Sequence, residues 1–226
     1  MSTFKLLVIT CFACICVPRV GYAQVAVRFE PRHKVALENE YVRLLDVRIK
    51  PGDNSLFHVH QTPSFFIPLS NTAIGSQVQG QLPQESKMTA GATWYNGFEK
   101  GPLIHKVWNS DTATLHVIDL ELLSAKNSPL TGAAALPGLK IDFENERLRV
   151  YKMELLPQDT FSLPRLPTPM IIICVSGPGI QIENGSRKGD LSRISEGGFQ
   201  WLKPGQHFRL LNEGTGRDEA ILILLK

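Results

Sequence analysis

The sequence predicts an all-β chain of two small β-barrels in tandem, and three observations carry that expectation. The first is an internal repeat: Glu38-Asn39-Glu40-Tyr41-Val42-Arg43 returns as Glu144-Asn145-Glu146-Arg147-Leu148-Arg149. The same offset of 106 pairs Pro51 with Pro157, Asp53 with Asp159, Thr62 with Thr168, Pro63 with Pro169 and Ser70 with Ser176 without a gap. A repeat of this length marks a duplicated structural unit. The second observation is the texture of each copy, short apolar or alternating runs broken by turn residues. Examples are 42–49 before Pro51-Gly52-Asp53, 65–69 before Ser70-Asn71, 104–108 before Asn109-Ser110-Asp111, and 114–123. The third is that no apolar stripe of helical period stands out, so short strands packed as sandwiches or barrels fit best.

The elements follow in chain order. Residues 1–23 read as a secretory signal peptide: Lys5 precedes an apolar stretch from Leu6 to Val17, and Gly21-Tyr22-Ala23 offers small residues for cleavage. That stretch is short of the roughly 20 residues that span a bilayer, so the mature chain is expected to keep no stable membrane anchor and to be secreted or periplasmic. Residues 30–123 form the first barrel, 124–138 a linker rich in Pro, Gly and Ala, and 139–226 the second barrel. Toward the end of each copy Gly91 and Trp94 are matched to Gly198 and Trp201 at an offset of 107, and Asn109 to Asn212.

Composition narrows the partners. The formal net charge of +3 loses Lys5 and Arg19 with the signal segment, and no basic run marks a nucleic-acid surface. Three of the four cysteines, Cys11, Cys14 and Cys16, lie in the same segment. Cys174 is left alone in an apolar run, where a buried inert thiol is expected.

The residues that carry chemistry are histidines of the first copy. His58 and His60 are two apart on a strand and share a face. His105, in the strand-like run 103–109, closes a three-imidazole cluster if its strand pairs with theirs. Imidazole nitrogens suit Fe, Mn, Ni, Cu or Zn. At the repeat offsets these positions become Pro164, Leu166 and Phe208, so the second copy is expected to be metal-free.

Gly52, His58 and His60, followed by His105 and Asn109, resemble the two motifs of the cupin superfamily, with Gly97 and Gly101-Pro102 loosely matching the turn before the second. The duplication resembles the two-barrel subgroup, the bicupins. One departure stands out: the positions of the family's glutamate ligand fall on Ser64 and Phe65. A neutral three-histidine shell leaves the metal its full double charge. The resemblance implies a divalent transition metal and a small-molecule substrate, oxygen-rich or anionic, and it is compatible with a homo-oligomer. Three functions stay open: an enzyme, either a dioxygenase-like oxidoreductase or an isomerase; a metal- or ligand-binding module without turnover; and a structural or storage protein. Gln61 and Thr62 are candidate substrate contacts, while His116 and Tyr95 are candidate catalytic groups should they face the cavity.

Overall fold

Among the described residues, the ten strands of the first copy form ladders only with one another, and so do the nine of the second. The computed structural model describes residues 24–124, 136–185 and 191–226. The proposed signal segment and most of the proposed linker lie outside the described residues. The first copy contains β1 (Val25–Ala26), β2 (His33–Glu38), β3 (Val42–Ile49), β4 (His58–His60), β5 (Ser64–Pro68), β6 (Thr72–Val78), β7 (Gln84–Met88), β8 (Trp94–Asn96), β9 (Leu103–Asn109) and β10 (Leu115–Leu122). The second contains β11 (Ile141–Glu144), β12 (Leu148–Leu155), β13 (Thr160–Leu163), β14 (Met170–Ser176), β15 (Ile180–Asn184), β16 (Leu191–Ile194), β17 (Phe199–Leu202), β18 (Phe208–Leu211) and β19 (Asp218–Leu225).

Each copy folds two sheets onto one another. In the first, β1-β4-β9-β6-β7 faces β2-β3-β10-β5-β8; in the second, β13-β18-β15-β16 faces β11-β12-β19-β14-β17. Side chains alternate across a strand, and the packing divides accordingly. Leu45, Val47, Ile49, Leu115 and Val117 fill the first barrel. Ile172, Cys174, Leu222 and Leu224 help fill the second. Their strand neighbours Leu44, Ile118, Leu120, Ile171, Ile173, Ile221 and Ile223 meet in a third cluster where the two large sheets lie back to back. Strands of those sheets are therefore buried on both faces, and this accounts for continuous apolar runs such as Met170 to Val175 in place of an alternating pattern. Cys174 lies in the second barrel's core, where burial pushes its thiol up to about 11.

The repeated residues do repeated work. Asn39 Oδ1 accepts the backbone N–H groups of Tyr41 and Val42 at 2.9 and 3.0 Å, and Asn145 Oδ1 those of Arg147 and Leu148 at 2.8 and 3.0 Å. Asn109 Nδ2 donates to the carbonyls of Ile49 and Ala113, and Asn212 Nδ2 to those of Leu155 and Gly216.

The structure corrects one part of the repeat. Phe65 pairs with Tyr95 and Ile171 with Trp201, so Trp201 answers to Tyr95 and the offset is still 106 there. Gly91 and Gly197 share a φ of +75°, and their N–H groups bond the carbonyls of Pro68 and Cys174. The match of Trp94 to Trp201 is a coincidence of residue type. Trp94 stacks on Phe66 at 5.1 Å, whereas Trp201 stacks on Tyr41 at 5.9 Å against the cluster between the barrels.

Truncating a fully buried residue of that cluster removes apolar contacts from both copies at once. Ile173→Ala is expected to cost about 2–5 kcal/mol, read from urea unfolding followed by tryptophan fluorescence.

Candidate metal centre

Four imidazoles converge inside the first barrel, one more than the sequence motifs point to. His58 and His60 leave β4 on the same face, and both are buried. His105 on β9 is the direct cross-strand partner of His58, and its ring centroid lies 4.6 Å from that of His58 and 5.0 Å from that of His60. The fourth, His33, comes from β2 in the opposite sheet, its ring 4.6 Å from His58 and 6.2 Å from His60. The tightest set of possible ligand atoms belongs to His33, His58 and His60, which lie within 4.8 Å of one another. His33 has no motif spacing to announce it, being a lone histidine 25 residues before the pair.

The rings are held from behind. His33 Nδ1 lies 2.7 Å from the carboxylate of Glu30, whose other oxygen accepts the N–H of Leu56 at 3.1 Å. His58 Nδ1 lies 2.9 Å from the carbonyl oxygen of Leu56. A ring bound through Nδ1 to an acceptor carries its proton there and offers a lone pair at Nε2, the usual arrangement of metal-ligating histidines. Phe98 stacks on His60 at 5.8 Å and Phe66 meets it edge-on at 5.8 Å, giving the cluster an aromatic wall continued by Trp94.

Electrostatics favours the neutral form of His58, His60 and His105. Burial, followed by the neighbouring imidazoles, depresses His58 to about 3. Burial depresses His105 to about 4 and holds His60 well below the ordinary histidine range. Burial of Glu30 would raise its pKa, yet hydrogen bonds from His33 and the N–H groups of Leu56 and Arg32 hold it below the usual carboxylate value.

These residues fit a divalent transition metal. Nε2 of His58 and Nε2 of His105 are buried and have no hydrogen-bond partner. Unpaired buried polar atoms are costly, and a metal ion would satisfy both. The donors are neutral imidazoles, which suit Zn, Fe, Cu, Ni or Mn better than Ca or Mg. Ser64, at an expected glutamate position, bonds the Thr62 carbonyl, and Phe65 points between the barrels. The double charge of an ion held here would nevertheless not be left bare, because Glu30 places a carboxylate directly behind His33.

The duplicate barrel serves as an internal contrast. The repeat places Leu136 where the first copy has Glu30 and Leu139 where it has His33, and the Leu139 N–H to Leu136 carbonyl bond reproduces the one from His33 to Glu30. Phe208 replaces His105, and Leu163, paired with Phe208 as His58 is with His105, takes the place of His58; this corrects the sequence match to Pro164, which is exposed, while at the sequence offset Leu166 answers to His60. The ladder registers place Leu222 opposite in role to Asp119. Six polar positions of one barrel are apolar together in the other.

The remaining candidates sit apart from the cluster. His116 leaves β10 on the face away from the barrel interior, its Nε2 2.7 Å from Asp46 and its ring against Gly197 of the second copy. Tyr95 likewise turns to the seam between barrels and stacks on Phe143 at 5.9 Å. Strand alternation thus takes both away from the imidazoles. Gln61 is exposed and Thr62 half-buried, one and two residues beyond His60.

No protein-family model matches the sequence, and no curated protein matches it. Solved structures do. AerE from Microcystis aeruginosa superposes with a TM-score of 0.59 at 12% identity, over 88% of this chain and 99% of its own. A cupin 2 conserved barrel domain protein from Leptotrichia buccalis gives 0.53 at 12% identity over 84% and 86%. Salicylate 1,2-dioxygenase from Pseudoaminobacter salicylatoxidans, in its adducts with gentisate, gives 0.57 at 11% identity over 82% and 68%.

The depressed histidines set the acid stability of the metal-free protein. The unfolded chain takes up protons at these rings below about 6.5, while the folded chain does so only near the depressed values. Stability is therefore lost as pH falls from 6.5 toward 4. Asp119, pushed up to about 8 by burial and by the Glu121 charge, acts oppositely, losing stability as pH rises from its unfolded value toward 8. Three histidines outweigh one carboxylate on the acid side. The urea midpoint of metal-free protein is expected to peak near neutrality and fall at pH 5, and His105→Phe, copying Phe208, should flatten the acid limb.

Proposed function

We propose that this chain, whose fold is that of the two-barrel cupins, is a secreted metal-dependent enzyme acting on a small oxygen-rich or anionic molecule in its first barrel. The observation that carries the reading is the convergence of four imidazoles, three buried and one half-buried, two of them with buried unpartnered Nε2 atoms, in one barrel while the duplicate barrel is apolar at the matching positions. Burying such a group of rings for packing alone would be costly, and leucine and phenylalanine fill the equivalent space in the same molecule.

His33, His58, His60 and His105 would hold the ion. Bound there, iron, copper or nickel supplies redox chemistry with oxygen, and zinc or manganese supplies Lewis acidity. Glu30 and the Leu56 carbonyl fix the ring orientations. Phe66, Phe98 and Trp94 keep water from one side and offer a flat apolar surface, suited to a planar substrate whose oxygen atoms turn toward the cation. Gln61 and Thr62, one and two residues beyond His60, would meet the substrate's outer end. A dioxygenase reading draws support from the fold shared with salicylate 1,2-dioxygenase. Secretion rests on residues 1–23 and on a mature chain whose one remaining cysteine is buried.

The test is elemental analysis of mature protein purified without a histidine tag, with oxygen uptake measured on salicylate, gentisate and small hydroxy acids. Near-stoichiometric metal, lost in His58→Ala/His60→Ala and reduced at least tenfold in affinity by His33→Ala, is expected. Absence of metal after reconstitution would overturn the enzyme reading. Metal without turnover of any substrate would favour a binding module.

A further inference from the structure

Asp119 is a buried carboxylate with no partner, and the group it faces has none either. It lies on β10 with its side chain toward the interior of the first barrel and is 1% exposed. Neither carboxylate oxygen makes a hydrogen bond. Oδ2 is 3.5 Å from Nδ1 of His60, which is also buried without a partner. Of the other polar groups nearby, Glu121, on the same face of β10, is bonded by Arg43, and the Ser64 hydroxyl, near enough to Asp119 to favour its charged form, donates to the Thr62 carbonyl. Two unsatisfied groups face each other across a gap that a shift of roughly half an ångström would turn into a hydrogen bond.

The second barrel shows what this place needs when no histidine is there. The residue matching His60 is Leu166, and the residue matching Asp119 is Leu222, fully buried in that barrel's core. A barrel of this kind packs well with leucine at the position, and a buried acid is ordinarily no more stabilising than an apolar residue of similar size. The aspartate goes with the histidine.

We infer that Asp119 is a positioning residue of the metal site, accepting the Nδ1 proton of His60 and so fixing the tautomer that presents Nε2 to the ion. This inference rests on the metal reading above and extends it to a residue outside the ligand set. With it, His33, His58 and His60 each have an acceptor behind them: the Glu30 carboxylate, the Leu56 carbonyl and the Asp119 carboxylate. Carboxylates in this position hold the ring at its working angle and raise its basicity. Two carboxyl side chains placed one ring away take the place of the single glutamate that the motif lacks.

The test compares wild type, Asp119→Asn and Asp119→Leu by calorimetric titration of the metal-free proteins with Zn²⁺ and Co²⁺, alongside thermal melts and the nitrogen-15 imidazole spectrum of His60. Both variants are expected to bind about 10–100-fold more weakly. Metal-free Asp119→Leu should melt no lower than wild type, and in Asp119→Asn the His60 proton should shift from Nδ1 toward Nε2. Unchanged affinity in both variants, or a metal-free Asp119→Leu that melts well below wild type, would overturn the positioning role while leaving the metal reading intact. A wild type that binds neither ion would bring down the metal reading and this inference with it.

Discussion

The back-to-back packing of the two large sheets is the constraint on which the rest of the molecule depends. Because β2-β3-β10-β5-β8 and β11-β12-β19-β14-β17 press together, their central strands must be apolar on the outer face as well as the inner one. That packing fixes which end and which face of each barrel can do chemistry. The first barrel's second sheet, carrying β4 and β9, is left to bring in His58, His60 and His105. The buried sheet supplies His33 and Asp119 from its inner face.

Against that packing the polar cluster is an expense to be accounted for. A barrel of this size is filled satisfactorily by leucine, isoleucine and phenylalanine, as the second copy demonstrates. In the first copy four imidazoles and two carboxylates replace apolar side chains in the same framework, and several of their nitrogen and oxygen atoms have no protein partner. Burial favours the neutral form of His58, His60 and His105, and neutral rings are the form that binds metal ions. The same desolvation that destabilises the metal-free site at acid pH thus prepares its ligands.

Much of this was legible in the sequence, for definable reasons. The duplication showed because turn and capping residues are fixed by backbone geometry: Asn39 and Asn145, or Asn109 and Asn212, can be exchanged for little else in those turns. His58 and His60 showed because a strand has period two, and His105 because it stands in the second motif. His33, Glu30 and Asp119 did not, since His33 and Asp119 are single residues brought in by the opposing sheet and Glu30 comes from the turn before it, and contacts between distant segments leave no local spacing. His116 and Tyr95 could not be assigned to a face because β10 and its neighbours are buried on both sides, which erases the alternation that tells inside from outside. The slip of one residue at Trp201 had a related cause: matching tryptophans outweighed the register, which the paired strands set.

The central claim is that the first barrel binds a divalent metal through imidazoles from both of its sheets. X-ray absorption at the edge of the metal bound by reconstituted mature protein tests it most directly, because imidazole rings give a distinctive multiple-scattering pattern that can be counted. The account requires a nitrogen and oxygen shell containing at least three imidazoles, with one lost in His33→Ala. A shell of oxygen atoms alone, or one unchanged by His33→Ala, would contradict it.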